Sequence, residues 1–321
     1  VIGFYSAGAM GSGVAPSLPG LFKVVLYTGN GSSTRTIDAG IDMSGGGIVE
    51  IRPRTANDGA YIFSDGLVSP LVVPLSATTA ASSAAASLTS SGVDLTDATY
   101  NVNGRPYVAF FYKKAARFLD VVPYTGNGTN RTIAHALGVA PGFLMVRRAN
   151  GTGSMQAYHV ALGANTRRVM TGNPSSSNDL SAWANTAPTS TVFSLGASTL
   201  TNQNSAAMWA FLWADDTESG GAVRAFSYTG NGTTPGPAVS LGWQPEYVMC
   251  GRNGTTFAYQ MDQVRSPGFS GSDAFLQFGS ANAEGSTDVI VALETGGVSF
   301  PGSTALNGLG VQYYGIAIRV P

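Results

Sequence analysis

Three carboxylates crowd into one stretch of this 321-residue chain, Asp215, Asp216 and Glu218 in ADDTESGG, although Asp and Glu together number only 18. Two carboxyl groups roughly 5 to 9 Å apart across a cleft are what glycosidic hydrolysis needs. Three within four positions of a Gly-rich linker form a solvated turn more readily, and their spacing lacks the ligand pattern of an EF-hand. The two histidines, His135 in RTIAH and His159 in AYHVALG, would as a pair offer a general base or metal ligands. Singly, each fits an imidazole bonded to a backbone carbonyl. Cys250 is the single cysteine, which excludes an intrachain disulfide framework and a thiolate zinc centre; in EYVMCGR it stands at a core position. GxSxG, HExxH and GxxxxGK[ST] motifs are absent. The expectation is therefore a protein without catalytic, cofactor-binding or metal-binding residues.

Aromatic side chains offer a different chemistry. Tyr158, Trp183, Trp243 and Tyr259 lie in loop-like surroundings rich in Asn and Ser. An aromatic face beside amides suits the apolar face of a sugar, so these four are the candidate contacts to a glycan or protein partner; the same residues would also cap a core or fill a subunit interface. Asn30, Asn127, Asn231, Asn150 and Asn253 each begin an N-x-[ST] sequon, but Asn-Gly-Thr also follows from turn chemistry alone.

The elements that must position these residues repeat. YTGNG occurs at Tyr27, Tyr124 and Tyr228, with starts 97 and then 104 residues apart, the size of a small domain. Leu137 aligns with Leu241, Pro141 with Pro245, Phe143 with Tyr247 and Arg148 with Arg252. Each copy closes on an apolar run, YVAFFYK, MWAFLWA or YYGIAIR, in which Tyr107, Trp209 and Tyr313 align 80, 85 and 85 residues after the opening Tyr. Short segments rich in Val, Ile, Phe, Tyr and Thr, bounded by Gly, Pro, Asn and Ser, predict strands. The closing runs, apolar at consecutive positions, predict central strands buried on both faces. Asn-Gly predicts a type I′ turn opening a hairpin. The one strong helical candidate is ATTAASSAAASL, roughly residues 77 to 88, which could equally be a low-complexity excursion. The expected fold is all-β: three tandem antiparallel β-sandwich modules of jelly-roll or immunoglobulin-like type. They span 21–117, 118–219 and 220–321, after an arm or module remnant at 1–20 in a chain whose start at Val1 suggests a fragment or processed product.

Charged residues make up only 11% of the chain, with 42 glycines, so Ser, Thr, Asn and Gly must cover the surface. A net charge of −1 gives no footprint for nucleic acid. Apolar runs are short and broken by Pro, which argues against membrane insertion.

The stretch YTGNGTNRTIAHALGVAPGFLMVRR, followed by YHVALG, SAWANTAPTSTVFSLG and AAMWAFLWA, resembles a domain recurring in tailed-bacteriophage virion proteins. Tyr124 to Ala214 match throughout. The third copy keeps the turn, Leu241-Gly242, Pro245 and Arg252 but lacks the Tyr-His pair, and the first keeps little beyond the turn and the closing strand. The resemblance implies a non-enzymatic, elongated virion component, a tail fibre, spike or tip protein used in host attachment. It also implies assembly with other virion proteins and as a homo-oligomer, in many fibres a trimer. A capsid decoration or head-fibre protein and a host-glycan depolymerase are the alternative expectations.

Overall fold

The computed structural model describes residues 20–319 apart from 58, 68, 75–77, 84–85, 173, 255–257, 270–272, 288–290 and 303–304, so the arm expected at 1–20 lies outside them except for Gly20. The chain is all-β, with antiparallel sheets, and one strand order returns three times. An opening strand (Phe22–Thr28, Leu119–Thr125, Val223–Thr229) pairs with the closing strand (Pro106–Lys113, Ala207–Ala214, Gln312–Ile318). The closing strand pairs on its other side with a central strand (Gly47–Pro53, Pro141–Arg148, Tyr247–Arg252). Outward from that come Ala60–Ser64, Leu71–Pro74 and Ser82–Ser83 in the first large sheet. Gln156–His159, Thr166–Val169 and Ser175–Asn178 occupy these places in the second, and Tyr259–Asp262 and Leu276–Gln277 in the third. A small sheet accompanies each: Arg35–Asp38 with Gly92–Leu95 and Ala86–Leu88, Arg131–Ala134 with Val192–Leu195, and Ala238–Ser240 with Gly297–Ser299 and Ala292–Glu294.

The pentapeptide is not a hairpin. The strand before it belongs to a large sheet and the strand after it to a small one, so it carries the chain between sheets. Nor is it type I′: Gly31, Gly128 and Gly232 have φ of 76°, 69° and 66°, whereas the preceding Asn residues are absent from the positive-φ set, and type I′ needs both. What fixes it is a second, buried asparagine, Asn101, Asn202 or Asn307, each at most 2% exposed. In the second copy the Asn127 N–H donates to Asn202 Oδ1 at 3.0 Å, while Asn202 Nδ2 donates back to Asn127 Oδ1 at 3.0 Å and to the carbonyls of Thr129 and Gly196 at 2.7 and 2.9 Å. Asn30 with Asn101 and Asn231 with Asn307 repeat the reciprocal pair. The pentapeptide Tyr hydroxyl donates to the carbonyl just before that asparagine, on Tyr100, Thr201 or Leu306. At Gly29, Gly126 and Gly230 an added Cβ would lie 2.0, 2.1 and 2.2 Å from a carbonyl oxygen, so only glycine lets the strands meet.

Both faces of the large sheets are apolar, and each face has its own cover. In the first sheet Ile51, Ile62, Ala109 and Phe111 pack with Ile37, Val93 and Leu95 of the small sheet. The opposite face, with Phe22, Ile48, Phe63, Phe110 and Tyr112, joins one core with Phe143, Phe211 and Trp213 of the second sheet and Tyr247, Met249 and Ile316 of the third. The three large sheets therefore share a core, and the elongated string of modules expected from the sequence is corrected: among the described residues they pack face to face. The closing-strand alignment is also corrected by one residue. Met208, not Trp209, stands opposite Tyr124, as Tyr107 and Tyr313 stand opposite Tyr27 and Tyr228. A one-residue slip exchanges the faces of a strand, and here it sends the Trp209 indole to the shared core against Phe63, ring centroids 4.9 Å apart.

Seams between the sheets close in a cycle. Arg147, at the end of the second central strand, donates to the Thr79 carbonyl of the first repeat at 2.6 Å, beside backbone bonds from Ala81 N to Ala149 O and Gly153 N to Thr78 O. Arg52, at the matching place in the first repeat, donates to the Gln277 and Asn282 carbonyls of the third at 3.2 and 3.0 Å. The third repeat has Gly251 there, and the donor comes from the other side: Arg168 reaches the Arg252 carbonyl at 2.8 Å. One carboxylate enters the shared core. Glu50 accepts from Gln260 Nε2 at 2.8 Å and lies 3.6 Å from Arg52, and burial pushes its pKa up against both.

The Ala-rich stretch expected as a helix or an excursion contributes Ser82–Ser83 and Ala86–Leu88 to sheets instead, because Leu71–Pro74 and Gly92–Leu95 offer partners for pairing. Replacing Asn202 by Ala strands the Asn127 N–H and three acceptors, and should cost about 3 kcal/mol in urea unfolding. Asn202→Asp, which turns an acceptor toward acceptors, should cost more. A loss below about 1 kcal/mol for both would deny the clasp its role.

Candidate functional site

The junction between the second and third repeats builds an opening on the surface. Residues 215–222 join the strand Ala207–Ala214 to Val223–Thr229. Asp216 is buried and braces this linker: its carboxylate accepts from the Arg117 guanidinium and, at 3.2 Å, from the Glu218 N–H, while the Gly221 N–H donates to the Glu218 carbonyl at 2.8 Å. Asp215 accepts from Arg224 Nε at 3.1 Å. Opposite, the N–H groups of Leu241 and Gly242 both donate to the Gly296 carbonyl, and the turn at Gly242 (φ 84°) presents Trp243. The Arg319 guanidinium lies 5.7 Å from the Trp243 ring centroid and donates to the Ser219 carbonyl at 3.2 Å. Between these walls is a cleft of about 410 Å³ lined by Thr217, Glu218, Ser219, Arg224, Ser240 and Trp243. Its lining carries hydroxyls on Thr217, Ser219 and Ser240 and, among the described residues, no histidine or cysteine. Of the three clustered carboxylates, two are committed to arginines and only Glu218 lines the cleft.

Residues 114–318 match the family described as Domain of unknown function (DUF7483), more than half of the chain. The chain belongs to this family. No curated protein matches it. The DUF7483 region begins one residue past the first closing strand and takes in the second and third sheet pairs with the junction cleft between them.

Of the four aromatic residues read from the sequence as surface contacts, all within the DUF7483 region, only Trp243 lines this cleft. Tyr158 and Trp183 are 3% and 2% exposed and are corrected to core residues. Their rings pack edge to face at 6.2 Å, and the indole N–H donates to the Thr166 carbonyl at 3.2 Å, so burying an Asn- and Ser-rich loop has consumed both. Tyr259 is half-buried on its strand with its ring 5.1 Å from Phe275, away from the cleft lining. The histidines do not meet as a pair. His135 bonds the Thr189 carbonyl at 3.1 Å; His159 accepts the Ala161 N–H at Nδ1, which puts its proton on Nε2, 3.0 Å from the Gly315 carbonyl of the third repeat. Burial lowers the His159 pKa to about 4, so it stays neutral at pH 7. Cys250 is fully buried, and burial pushes its thiol up to about 12. Among the described residues no three of His, Cys, Asp and Glu gather as a metal site, and no helix is long and apolar enough to cross a membrane.

Sequence reasoning missed Arg224 and Arg319, which carry no motif, and the three clasp asparagines, which do leave a signal. Asn101, Asn202 and Asn307 each stand six residues before Tyr107, Met208 and Tyr313. Of the four tryptophans, Trp183, Trp209 and Trp213 are buried, so acrylamide should quench a single emitting population, and Trp243→Phe should remove it. Quenching that survives this substitution would place a second indole at the surface.

Proposed function

We propose that this chain is a non-enzymatic structural component of a bacteriophage virion, built of three β-sandwich modules at 21–117, 118–219 and 220–321, and that it serves in a tail fibre, spike or tip that attaches to the host surface. The observation that carries the architectural part is the strand order repeated three times, each large sheet covered on one side by its own small sheet and on the other by the shared core. The phage setting rests on the sequence resemblance of Tyr124 to Ala214. A surface with few charges supports a role in contacts, because little has to be desolvated when it packs against virion proteins or a glycan.

The architecture also bears on assembly. One chain closes all three seams with its own residues, so a homo-oligomer would form on other surfaces, and rigidity comes from the closed cycle instead of from repetition along an axis. The polar groups that resemble catalytic equipment in the sequence serve the scaffold: Asp216 holds the junction and His159 ties the second sheet to the third.

Cryo-electron microscopy of the virion, with an antibody fragment bound to the chain, tests this reading. Density on the distal tail, with host-cell binding by the purified chain, is expected. Density on the head shell would instead make it a capsid decoration protein, and absence from the particle would overturn the proposal.

A further inference from the structure

Two junctions join the three repeats, and they differ in ways that packing alone does not require. The first, residues 114–118, is five residues long and closed. The Arg117 N–H donates to the Leu137 carbonyl at 2.8 Å, so the linker lies on the Leu-Gly turn. Asp120, second residue of the opening strand, is buried and accepts from Ala136 N at 2.6 Å and from Lys114 at 3.2 Å. Val139, after Leu137-Gly138, packs against the core. The second junction, residues 215–222, is eight residues long. Arg224 takes the place of Asp120, and Trp243 takes the place of Val139; the larger indole is likewise half-buried, one part packed against the core of the third repeat and the rest lining the cleft. An insertion, a charge reversal and a larger, aromatic side chain coincide at the cleft of about 410 Å³, whose lining includes Glu218, Arg224 and Trp243.

We infer that this cleft is a subsite for an uncharged pyranose unit of a glycan, stacked on the Trp243 indole with its hydroxyls toward Arg224, Glu218 and Ser219. The volume lies within the range of about 300 to 1,000 Å³ typical of ligand clefts. An indole offers the flat, polarisable surface that the C–H face of a sugar needs. Arg224 supplies donors and Glu218 acceptors on the same wall, the complement of neighbouring hydroxyls that each donate and accept. Arg224 and Arg319 balance Asp215 and Glu218, so the walls carry no net charge and favour a neutral ligand over an acidic one. The walls are already fixed by Asp216, Gly296 and the bond from Arg319 to Ser219, which lowers the ordering cost of binding. Glu218 is the one carboxylate lining the cleft, while Asp215 and Asp216 pair with arginines outside its lining, so the two facing carboxyl groups that glycosidic hydrolysis uses are not arranged across it.

This inference rests on the host-attachment reading, and one experiment separates the two. Saturation-transfer NMR and tryptophan fluorescence titrations on the full chain would use D-glucose, D-galactose and N-acetyl-D-glucosamine, with N-acetylneuraminate as the charged comparison. At least one neutral sugar should bind with millimolar affinity. Trp243→Val, which installs the residue of the second repeat, should weaken it about tenfold or more, with an unchanged circular dichroism spectrum showing that the third repeat, whose core the indole partly covers, still folds. Glu218→Gln, on an exposed linker position, should weaken it without touching the core, and would report if the Val variant failed to fold. Tighter binding of N-acetylneuraminate, saturation by none of the neutral sugars, or affinity indifferent to both substitutions would overturn the subsite. Host cells that bind wild type and Trp243→Val equally, with no sugar bound, would overturn the subsite and leave attachment standing. Sugar binding without any cell binding would sustain the subsite and overturn attachment.

Discussion

A sheet that is apolar on both faces has to be covered twice, and this constraint organises the whole molecule. Each large sheet carries closing and central strands with almost no polar side, such as Ala207–Ala214, buried at seven consecutive positions from Met208. One small sheet covers one face. The remaining face is too apolar to leave in water at about 25 cal/mol per Å², and the other two large sheets supply its cover. Three sheets that each need a second partner satisfy one another in a cycle, and that cycle makes one unit from three repeats.

The polar groups follow from the same arrangement. Edges of the large sheets meet the ends of neighbouring central strands, where backbone carbonyls would lose water without gaining a partner. Arg52, Arg147 and Arg168 answer this with guanidinium donors, and the substitution of Gly251 at the third seam is offset by Arg168 approaching from the opposite strand. The asparagine clasps do the equivalent work within each repeat. They satisfy the backbone where the chain leaves the large sheet for the small one, which explains why YTGNG is repeated although its three copies line no common site.

Much of the architecture was legible in the sequence. The three copies, the all-β class, the doubly buried closing strands and the core placement of Cys250 follow from turn spacing and from apolar runs at consecutive positions. What stayed hidden is instructive. Asn-Gly is favoured both in type I′ hairpins and in turns with one left-handed residue, so composition could not separate a hairpin from a crossing; the partner asparagine lies 71 to 76 residues away. The alignment of Trp209 with Tyr107 and Tyr313 matched aromatic with aromatic, whereas backbone pairing chose Met208. Tyr158 and Trp183 sit among Asn and Ser, and only the fold reveals that the loop folds inward over them. Trp243 alone of the four candidate aromatics lines the junction cleft, half-buried between the core of the third repeat and the longer second linker.

The central claim is that the repeats are held by one shared core, and not strung as independent domains. Differential scanning calorimetry of the full chain tests it most directly. A single transition, with a ratio of calorimetric to van't Hoff enthalpy of about one, is the predicted result. Three separable transitions, or a ratio of about three, would show the repeats unfolding independently and contradict the account.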